Sequence, residues 1–193
     1  MELSPILYHR LIRPTWFLNR YIYNTLKDGF NFENKKIIDF GCGVGSSAAL
    51  FSSPSYLGLD CDNRRVEYAR KINPGYNFGL LTGNKLPVPD ASVDYVLIVS
   101  VLHHIASREI SDYLNEFRRV LTSTGKVLVI EPCLFKGTYL SNSYMSWFDK
   151  GKYIRTEDEY IEMFVRFDYE TQIIRRFSQL LLYRKLFFVA VPV

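Results

Sequence analysis

The amino-acid sequence predicts an α/β fold with a mostly parallel sheet, because apolar strand-like runs alternate with helix-like segments. Strands are predicted at about 35–40, 56–60, 76–81, 94–100 and 125–131. Helices are predicted at about 45–52, 62–72 and 107–121. Two further strands are predicted in the tail, at about 169–177 and 182–191. The other observation behind this fold class is a glycine-rich loop directly after the first strand.

That loop carries the strongest chemical signal in the sequence. A β-branched run ends in Asp39, and glycines then stand at alternate positions, Gly41, Gly43 and Gly45. Because glycine has no Cβ, a ligand can lie directly on such a backbone. A strand, a loop of this kind and a helix N-terminus together hold nucleotide-bearing cofactors in open α/β sheets. We therefore place the loop, including Cys42, in a cofactor site; the alternative for Cys42, and for Cys61 further on, is a small residue where a larger one would clash.

The spacing and the charge of the loop indicate which cofactor it binds. A dinucleotide fingerprint would have its third glycine at position 46, where this chain has Ser46. The carboxylate of Asp39 would repel a pyrophosphate, whereas it would attract a ligand that carries an ammonium and a sulfonium. S-adenosylmethionine is such a ligand, and the sequence therefore favours it over NAD.

A second acid ends the second predicted strand. Asp60 follows Gly41 by 19 residues, close to the spacing of roughly 20 residues at which an acid meets ribose hydroxyls in βαβ nucleotide sites. We predict that Asp60 accepts hydrogen bonds from the ribose diol, with Cys61 beside it. The alternative is a solvated turn acid. Asp62 is predicted to cap the helix that follows.

Further motifs follow in a fixed order. They are Leu86 to Asp94 (LPVPDASVD), Ser100 to Ile105 (SVLHHI), Glu116 to Leu121 (EFRRVL) and Gly125 to Pro132 (GKVLVIEP). Together with the glycine loop, they resemble the class I, Rossmann-like S-adenosylmethionine-dependent methyltransferases. The pattern is most similar to the small-molecule branch that includes quinone-biosynthesis methyltransferases. The resemblance covers about residues 35–132.

The resemblance implies a doubly wound, mostly parallel seven-stranded sheet with an antiparallel last strand. In this family an acid four residues before the Leu-Pro pair bonds the adenine amino group. That position is Thr82 in this chain, and Asn84 is the nearest amide, so both remain candidates. Ser100, at the end of the fourth strand, is a further cofactor-binding candidate.

Two adjacent histidines are the catalytic candidates. His103 and His104 follow the fourth strand, and imidazole titrates near neutrality. We predict a general base here, with His104 ahead of His103; the alternative is hydrogen bonding to the backbone. Glu131 either faces the acceptor or caps a loop. The only other histidine is His9, and the three lack a helical metal-ligand spacing, so no metal is predicted.

The 193 residues are expected to form one methyltransferase domain. N-terminal helices are predicted within 1–30, the cofactor-binding core spans 35–132, an acceptor-side segment spans 133–167, and C-terminal strands occupy 168–193. Six aromatic residues with several basic ones lie within 133–155. This composition suits a planar or apolar acceptor with negative charge, although ordinary packing explains each single residue equally well.

The composition of the chain bears on its partners and on its cell compartment. The net charge of +4 is dispersed, which does not indicate a nucleic-acid partner. The three cysteines lack C-x-x-C spacing, which favours reduced thiols and a cytoplasmic protein. No signal peptide or stable membrane insertion is predicted, and the chain is expected to be a monomer or a homodimer. One alternative to a small-molecule methyltransferase is a non-catalytic cofactor-binding protein. A nucleic-acid methyltransferase is less favoured, because the chain lacks the N-P-P-Y motif typical of enzymes that flip bases.

Overall fold

The computed structural model describes residues 24–149, 151–179 and 182–193. The chain divides into two compact units, one up to Gly83 and one from Asn84 onward. Of the helices predicted within residues 1–30, only α1, Asn24–Gly29, is described. The remainder of that prediction lies outside the described residues. The two units are taken in turn below.

The first unit is built on three parallel strands. They are β1 Ile37–Phe40, β2 Tyr56–Asp60 and β3 Asn77–Leu80, in the spatial order β3-β2-β1. All four residues of β1 are buried, as expected for a parallel strand covered on both faces. Helix α2, Asn63–Ile72, connects β2 to β3. Its N-cap is Asp62, as predicted: the carboxylate accepts from the N–H groups of Arg64 and Arg65.

The helix predicted at 45–52 is wrong. The structure has turns there and a single 3-10 turn, Ala48–Leu50, followed by extended backbone at Phe51. Glycine and serine, which have low helix propensity, make up half of the residues 45–52 and explain the difference.

The second unit contains most of the secondary structure. Its strands are β4 Val93–Val99, β5 Leu121–Leu134, β6 Arg155–Thr156, β7 Tyr169–Gln179 and β8 Tyr183–Pro192. Its helices are α3 Ser107–Val120, α4 Tyr139–Phe148 and α5 Glu157–Val165. The order is β4-β5-β8-β7, and the two-residue β6 pairs in parallel with the end of β5. Strand β8 is antiparallel to both β5 and β7, which confirms the antiparallel last strand.

The helices of this unit follow the sequence pattern closely. In α3, Ile110, Leu114 and Phe117 recur at helical spacing and are fully buried. Helix α5 begins with a capping box, in which Thr156 and Glu159 exchange side-chain and backbone hydrogen bonds. Strand β5 is longer than predicted, because it starts directly after α3 and its end gains β6 as a partner.

One arginine joins the loop before β4 to helix α3. Arg119 donates to both carboxylate oxygens of Glu116, at 2.8 and 2.5 Å, and also bonds Asp90. The same guanidinium reaches the carbonyl oxygens of Leu86 and Val88, at 3.1 to 3.2 Å. Charge-assisted bonds of this kind are stronger than neutral ones, especially when they are bidentate. Arg119, the second arginine of the Glu-Phe-Arg-Arg motif, therefore has a structural role.

We expect Arg119→Met to lower the free energy of unfolding by about 1–3 kcal/mol, because several charge-assisted hydrogen bonds are lost together. Arg108→Met is the matched control: its side chain is 86% exposed and lies 3.7 Å from Glu109, so its loss costs little. Urea denaturation of both variants measures the difference. Equal stability of the two variants would contradict the structural role of Arg119.

Candidate functional site

The glycine loop leaves β1 and turns back across the end of β2. The N–H groups of Gly41 and Cys42 donate to the carbonyl of Leu59, at 2.7 and 3.0 Å. Gly43 has a φ of +57°, and a Cβ built on it would meet no protein atom within 4 Å. Its backbone therefore lies open on the side where a side chain would stand. Gly45 differs, because a Cβ there would lie 2.6 Å from the ring of Phe78.

Asp60 stands at the carboxyl end of β2, where it is 4% exposed. One carboxylate oxygen accepts from the N–H of Gly43 at 2.8 Å, and the other accepts from the N–H of Asp62 at 2.9 Å. The side chain therefore joins the glycine loop to the start of α2. Two backbone donors fix its orientation and leave further lone pairs on both oxygens. The solvated-turn alternative for Asp60 does not fit this burial.

The other acid of the loop lies deeper in the unit. Asp39 is 2% exposed and accepts a hydrogen bond from the hydroxyl of Tyr56 at 2.7 Å. Two cysteines accompany the acids: Cys42 is buried and Cys61 is exposed. Burial raises the pKa of the Cys42 thiol, neighbouring atoms that partly exclude water raise the pKa of the Cys61 thiol, and the charge of Asp60 raises both further. Both thiols therefore stay protonated near neutral pH.

The two adenine candidates differ in their surroundings. Thr82 is exposed in the loop after β3. Asn84 is also exposed, and its side-chain amide donates to Asp112 of α3 at 2.8 Å. The side-chain nitrogen of Asn84 therefore already donates to a carboxylate within the second unit, while its side-chain oxygen can still accept a hydrogen bond.

Ser100 follows β4 in an uncommon conformation. Its φ is +58°, a value that non-glycine residues rarely adopt. The backbone N–H donates to the carbonyl of Ile130 at 2.9 Å. Its hydroxyl accepts from the ammonium of Lys185 at 2.6 Å, and Lys185 is only 3% exposed. A buried lysine from β8 thus holds the residue at which the chain leaves β4.

The carboxylate of Glu131 organises the segment after Ser100. One oxygen accepts from the N–H groups of Val101 and Leu102, at 2.6 and 2.9 Å. The other lies 2.7 Å from Nδ1 of His103. Burial raises the pKa of this fully buried carboxyl, but His103 and the two N–H groups outweigh it, so the pKa lies below its ordinary value. Glu131 is therefore ionised near neutral pH, and His103 carries its proton on Nδ1.

The two candidate histidines have different environments. His103 is 2% exposed, and its Nε2 lies 3.5 Å from the carboxylate of Asp149. His104 is exposed, with its ring centroid 4.1 Å from that of His103. Only His104 of this pair presents its ring to solvent. Glu131 performs the loop-capping role, the second of the two readings that its position in the sequence allowed.

Three functional candidates were missed by the sequence reading. Asp149, beyond the end of α4, accepts from the hydroxyl of Tyr183 and from the N–H of Gly151. Lys185 showed only as a charge that interrupts an apolar tract, which was the available signal for a buried cation. Arg155, one of the basic residues of the segment 133–155, is 6% exposed and donates to the carbonyls of Leu102 and Ile105.

No group of three or more His, Cys, Asp or Glu side chains in the described part of the chain could hold a metal ion. Among the described helices, none has the length and hydropathy that crossing a membrane requires.

The comparison with protein families matches residues 38–129 to a model described as "Methyltransferase domain". Among curated proteins, the chain is 35% identical over 72 residues to the tRNA (carboxymethyluridine(34)-5-O)-methyltransferase of Saccharomyces cerevisiae. The aligned region covers 37% of this chain and 26% of the relative. The chain is also 30% identical over 120 residues to the fatty-acid O-methyltransferase of Mycolicibacterium smegmatis, covering 58% of this chain and 43% of the relative. The chain thus spans less than half the length of either relative.

Solved structures share the fold. A putative methyltransferase from Haloferax volcanii, in complex with the Trm112 methyltransferase activator, matches with a TM-score of 0.72 at 17% identity, with all of both chains covered. A SAM-dependent methyltransferase from Aquifex aeolicus matches with a TM-score of 0.70 at 19% identity, covering 98% of this chain and all of the other. These likenesses show an α/β Rossmann-like fold, and residues 38–129, in which the motifs follow one another in the expected order, match the methyltransferase-domain family.

Proposed function

We propose that this protein transfers a methyl group from S-adenosylmethionine to an oxygen or nitrogen atom of a small-molecule acceptor. The observation that carries the proposal is the junction between Asp60 and Gly43. There a buried, fixed carboxylate meets a glycine whose side-chain position is open. A carboxylate can accept both hydroxyl protons of a ribose diol, and an open glycine lets the rest of the ligand lie on the backbone.

The cofactor supplies a methyl group that is already activated by the sulfonium, so the protein mainly binds and orients the reactants. In this proposal Asp60 holds the ribose, and the loop from Gly41 to Gly45 supports the cofactor through its backbone. The negative charge of Asp39, which lies deeper in the same unit, favours a cationic ligand over a pyrophosphate. Thr82 and Asn84 remain the candidates for the adenine.

The acceptor is proposed to be apolar or planar and to carry negative charge. Support comes from the aromatic and basic residues of the segment 133–155 and from the fatty-acid acceptor named for one relative. Membership of the small-molecule branch that includes quinone-biosynthesis methyltransferases remains part of this proposal. Another relative is named for tRNA, so RNA is the competing acceptor class, and an activator subunit like that of the archaeal neighbour is the competing kind of partner. The free cysteines favour a cytosolic site of action.

For an alcohol acceptor, we propose His104 as the general base. Its imidazole is exposed and can reach a ligand, and imidazole is the usual general base among side chains. His103, Glu131 and Asp149 form a buried row in which the imidazole lies between two carboxylates. This row fixes the turn that carries His104, so we assign His103 a positioning role ahead of direct proton transfer.

Incubating the purified protein with methyl-labelled S-adenosylmethionine and cell extract tests the acceptor class. We expect label in the small-molecule fraction and not in purified tRNA, because the aromatic segment suits a compact acceptor. Addition of an activator subunit to a parallel sample controls for a missing partner. Label confined to tRNA would assign the protein to the competing class, and cofactor binding with no transfer would support the non-catalytic alternative.

Asp60→Asn should weaken the binding of S-adenosylhomocysteine about tenfold to a hundredfold, because a charge-assisted hydrogen bond pair is lost while the side-chain shape is kept. Asp62→Asn is the matched control, because Asp62 is the acid two residues further along the chain; it caps α2, and its substitution leaves Asp60 in place. Calorimetry measures both affinities. Because Asp60 also binds two backbone N–H groups, Asp60→Ala should lower stability too. Unchanged affinity in Asp60→Asn would remove Asp60 from the cofactor site.

His104→Ala should keep cofactor affinity and lower methyl transfer about a hundredfold or more, the usual range for the loss of a general base. The rate of the unmodified enzyme should rise with pH through a pKa near neutrality, and that rise should be absent in the variant. His103→Ala should instead lower the melting temperature, because it leaves Glu131 buried without its imidazole partner. Full activity of His104→Ala with an unchanged pH profile would exclude it as the base.

A further inference from the structure

The turn that carries the two histidines is held at its carbonyl groups as well as at its N–H groups. It is a 3-10 turn, Leu102–His104, with Ile105 directly after it. At its start, the N–H groups of Val101 and Leu102 donate to Glu131. A turn this short makes few hydrogen bonds of its own, so its other backbone groups need partners from elsewhere in the chain.

Arg155 is the main donor to the carbonyl groups of this turn. Its guanidinium donates to the carbonyls of Leu102 and Ile105, both at 2.8 Å. It also donates to the hydroxyl oxygen of Ser107 at 3.1 Å. One side chain thus joins both ends of the turn to the first residue of α3. A planar guanidinium suits this task, because its donors point in several fixed directions at once.

The guanidinium of Arg155 lies in an uncharged environment. The residue is 6% exposed, and its hydrogen-bond partners among the described residues are all neutral oxygens. The rings of Tyr153 and Tyr160 lie near it, each with its centroid 5.8 Å from Cζ. A buried charge is stable only when hydrogen bonds satisfy it. The carbonyls of the turn therefore stabilise the cation, and the cation in return fixes the carbonyls.

The strand register places Arg155 on the same face of the sheet as Glu131. Cys133 of β5 is paired with Arg155 of β6. Residues two apart in a strand point to the same face, as do residues paired across neighbouring strands. Strand β6 has only two residues, and it brings a cation to the face that already carries the anion. The turn is therefore held by two buried charges of opposite sign, the carboxylate at its N–H groups and the guanidinium at its carbonyls.

We propose that Arg155 is a positioning residue for the imidazole of His104. Glu131 fixes the start of the turn and Arg155 fixes its end, so the exposed ring of His104 is held at one place between them. The N–H of Tyr153 adds a hydrogen bond to the carbonyl of His103, at 3.0 Å. Because the side chain of Arg155 is buried, it acts through the turn and not on the acceptor. The effect on catalysis rests on the proposed function of His104 as the base, whereas the effect on its position does not.

Arg155→Lys tests the proposal, because lysine keeps the charge but lacks the planar fork that binds two carbonyls at once. NMR spectra of protein with isotope-labelled histidine report the ring signals of His103 and His104, and we expect both to shift and broaden. The kcat of methyl transfer should fall about tenfold to a hundredfold, because a displacement of about 1 Å suffices for such a loss. The affinity for S-adenosylhomocysteine should stay unchanged.

Ser107→Ala is the second variant, for the case that Arg155→Lys does not fold. It removes one acceptor of Arg155 and leaves the arginine and its two carbonyl partners in place. The same ring signals should shift in the same direction, by a smaller amount.

Arg118→Lys is the matched control. Arg118 also binds backbone carbonyls with one guanidinium, at 2.6 to 2.9 Å: those of Phe167, Asp168 and Val193. It lies in α3, roughly 16 Å from Ser107 along the helix axis. The control should lower the melting temperature and leave both the histidine ring signals and kcat unchanged.

Three outcomes would overturn the proposal. The first is unchanged histidine ring signals in both Arg155→Lys and Ser107→Ala, and the second is an equal change of these signals in Arg118→Lys. The third is an unchanged kcat in Arg155→Lys although the ring signals shift. If the unmodified protein transfers no methyl group, the proposed function fails, and the ring signals alone decide whether Arg155 positions His104.

Discussion

The fully buried carboxylate of Glu131 is the constraint on which the turn after β4 depends. A charge at this depth is stable only when hydrogen bonds satisfy it. Here the N–H groups of Val101 and Leu102 and the imidazole of His103 do so. The three donors come from one short turn, so the turn can take only the conformation that brings them together. The position of His104, the residue proposed to take the acceptor's proton, follows from that conformation.

Local signals in the sequence predicted much of the fold, and they named candidate site residues whose roles stay predictions. Asp62 and Thr156 cap helices because their neighbours in sequence supply the N–H groups that they bind. Strand β2 ends at Asp60, as the apolar run before it indicated. In each case the interacting groups are close along the chain, and the residue types alone determine the geometry.

Contacts between distant segments could not be read in the same way. Lys185 meets Ser100 across 85 residues, and Arg155 reaches the carbonyl of Leu102 across 53. Asp149 meets His103 only because the chain folds back after α4. A buried lysine or arginine has the same appearance in a sequence as one on the surface. Its partner becomes known only when the strand register is known.

The ring of Phe78 has a consequence for how this protein can evolve. A Cβ at Gly58 would lie 2.6 Å from it, and one at Gly45 equally close. Gly58 lies within β2 and has no positive φ, so its side chain is excluded by the phenylalanine and not by its own backbone. A smaller residue at position 78 would remove the closest contact at Gly58, where Sγ of Cys42 at 3.0 Å would remain, and would leave Gly45 fixed by its φ of +73°. Substitutions at 58 and 78 are therefore coupled, and the order in which a lineage acquires them is constrained.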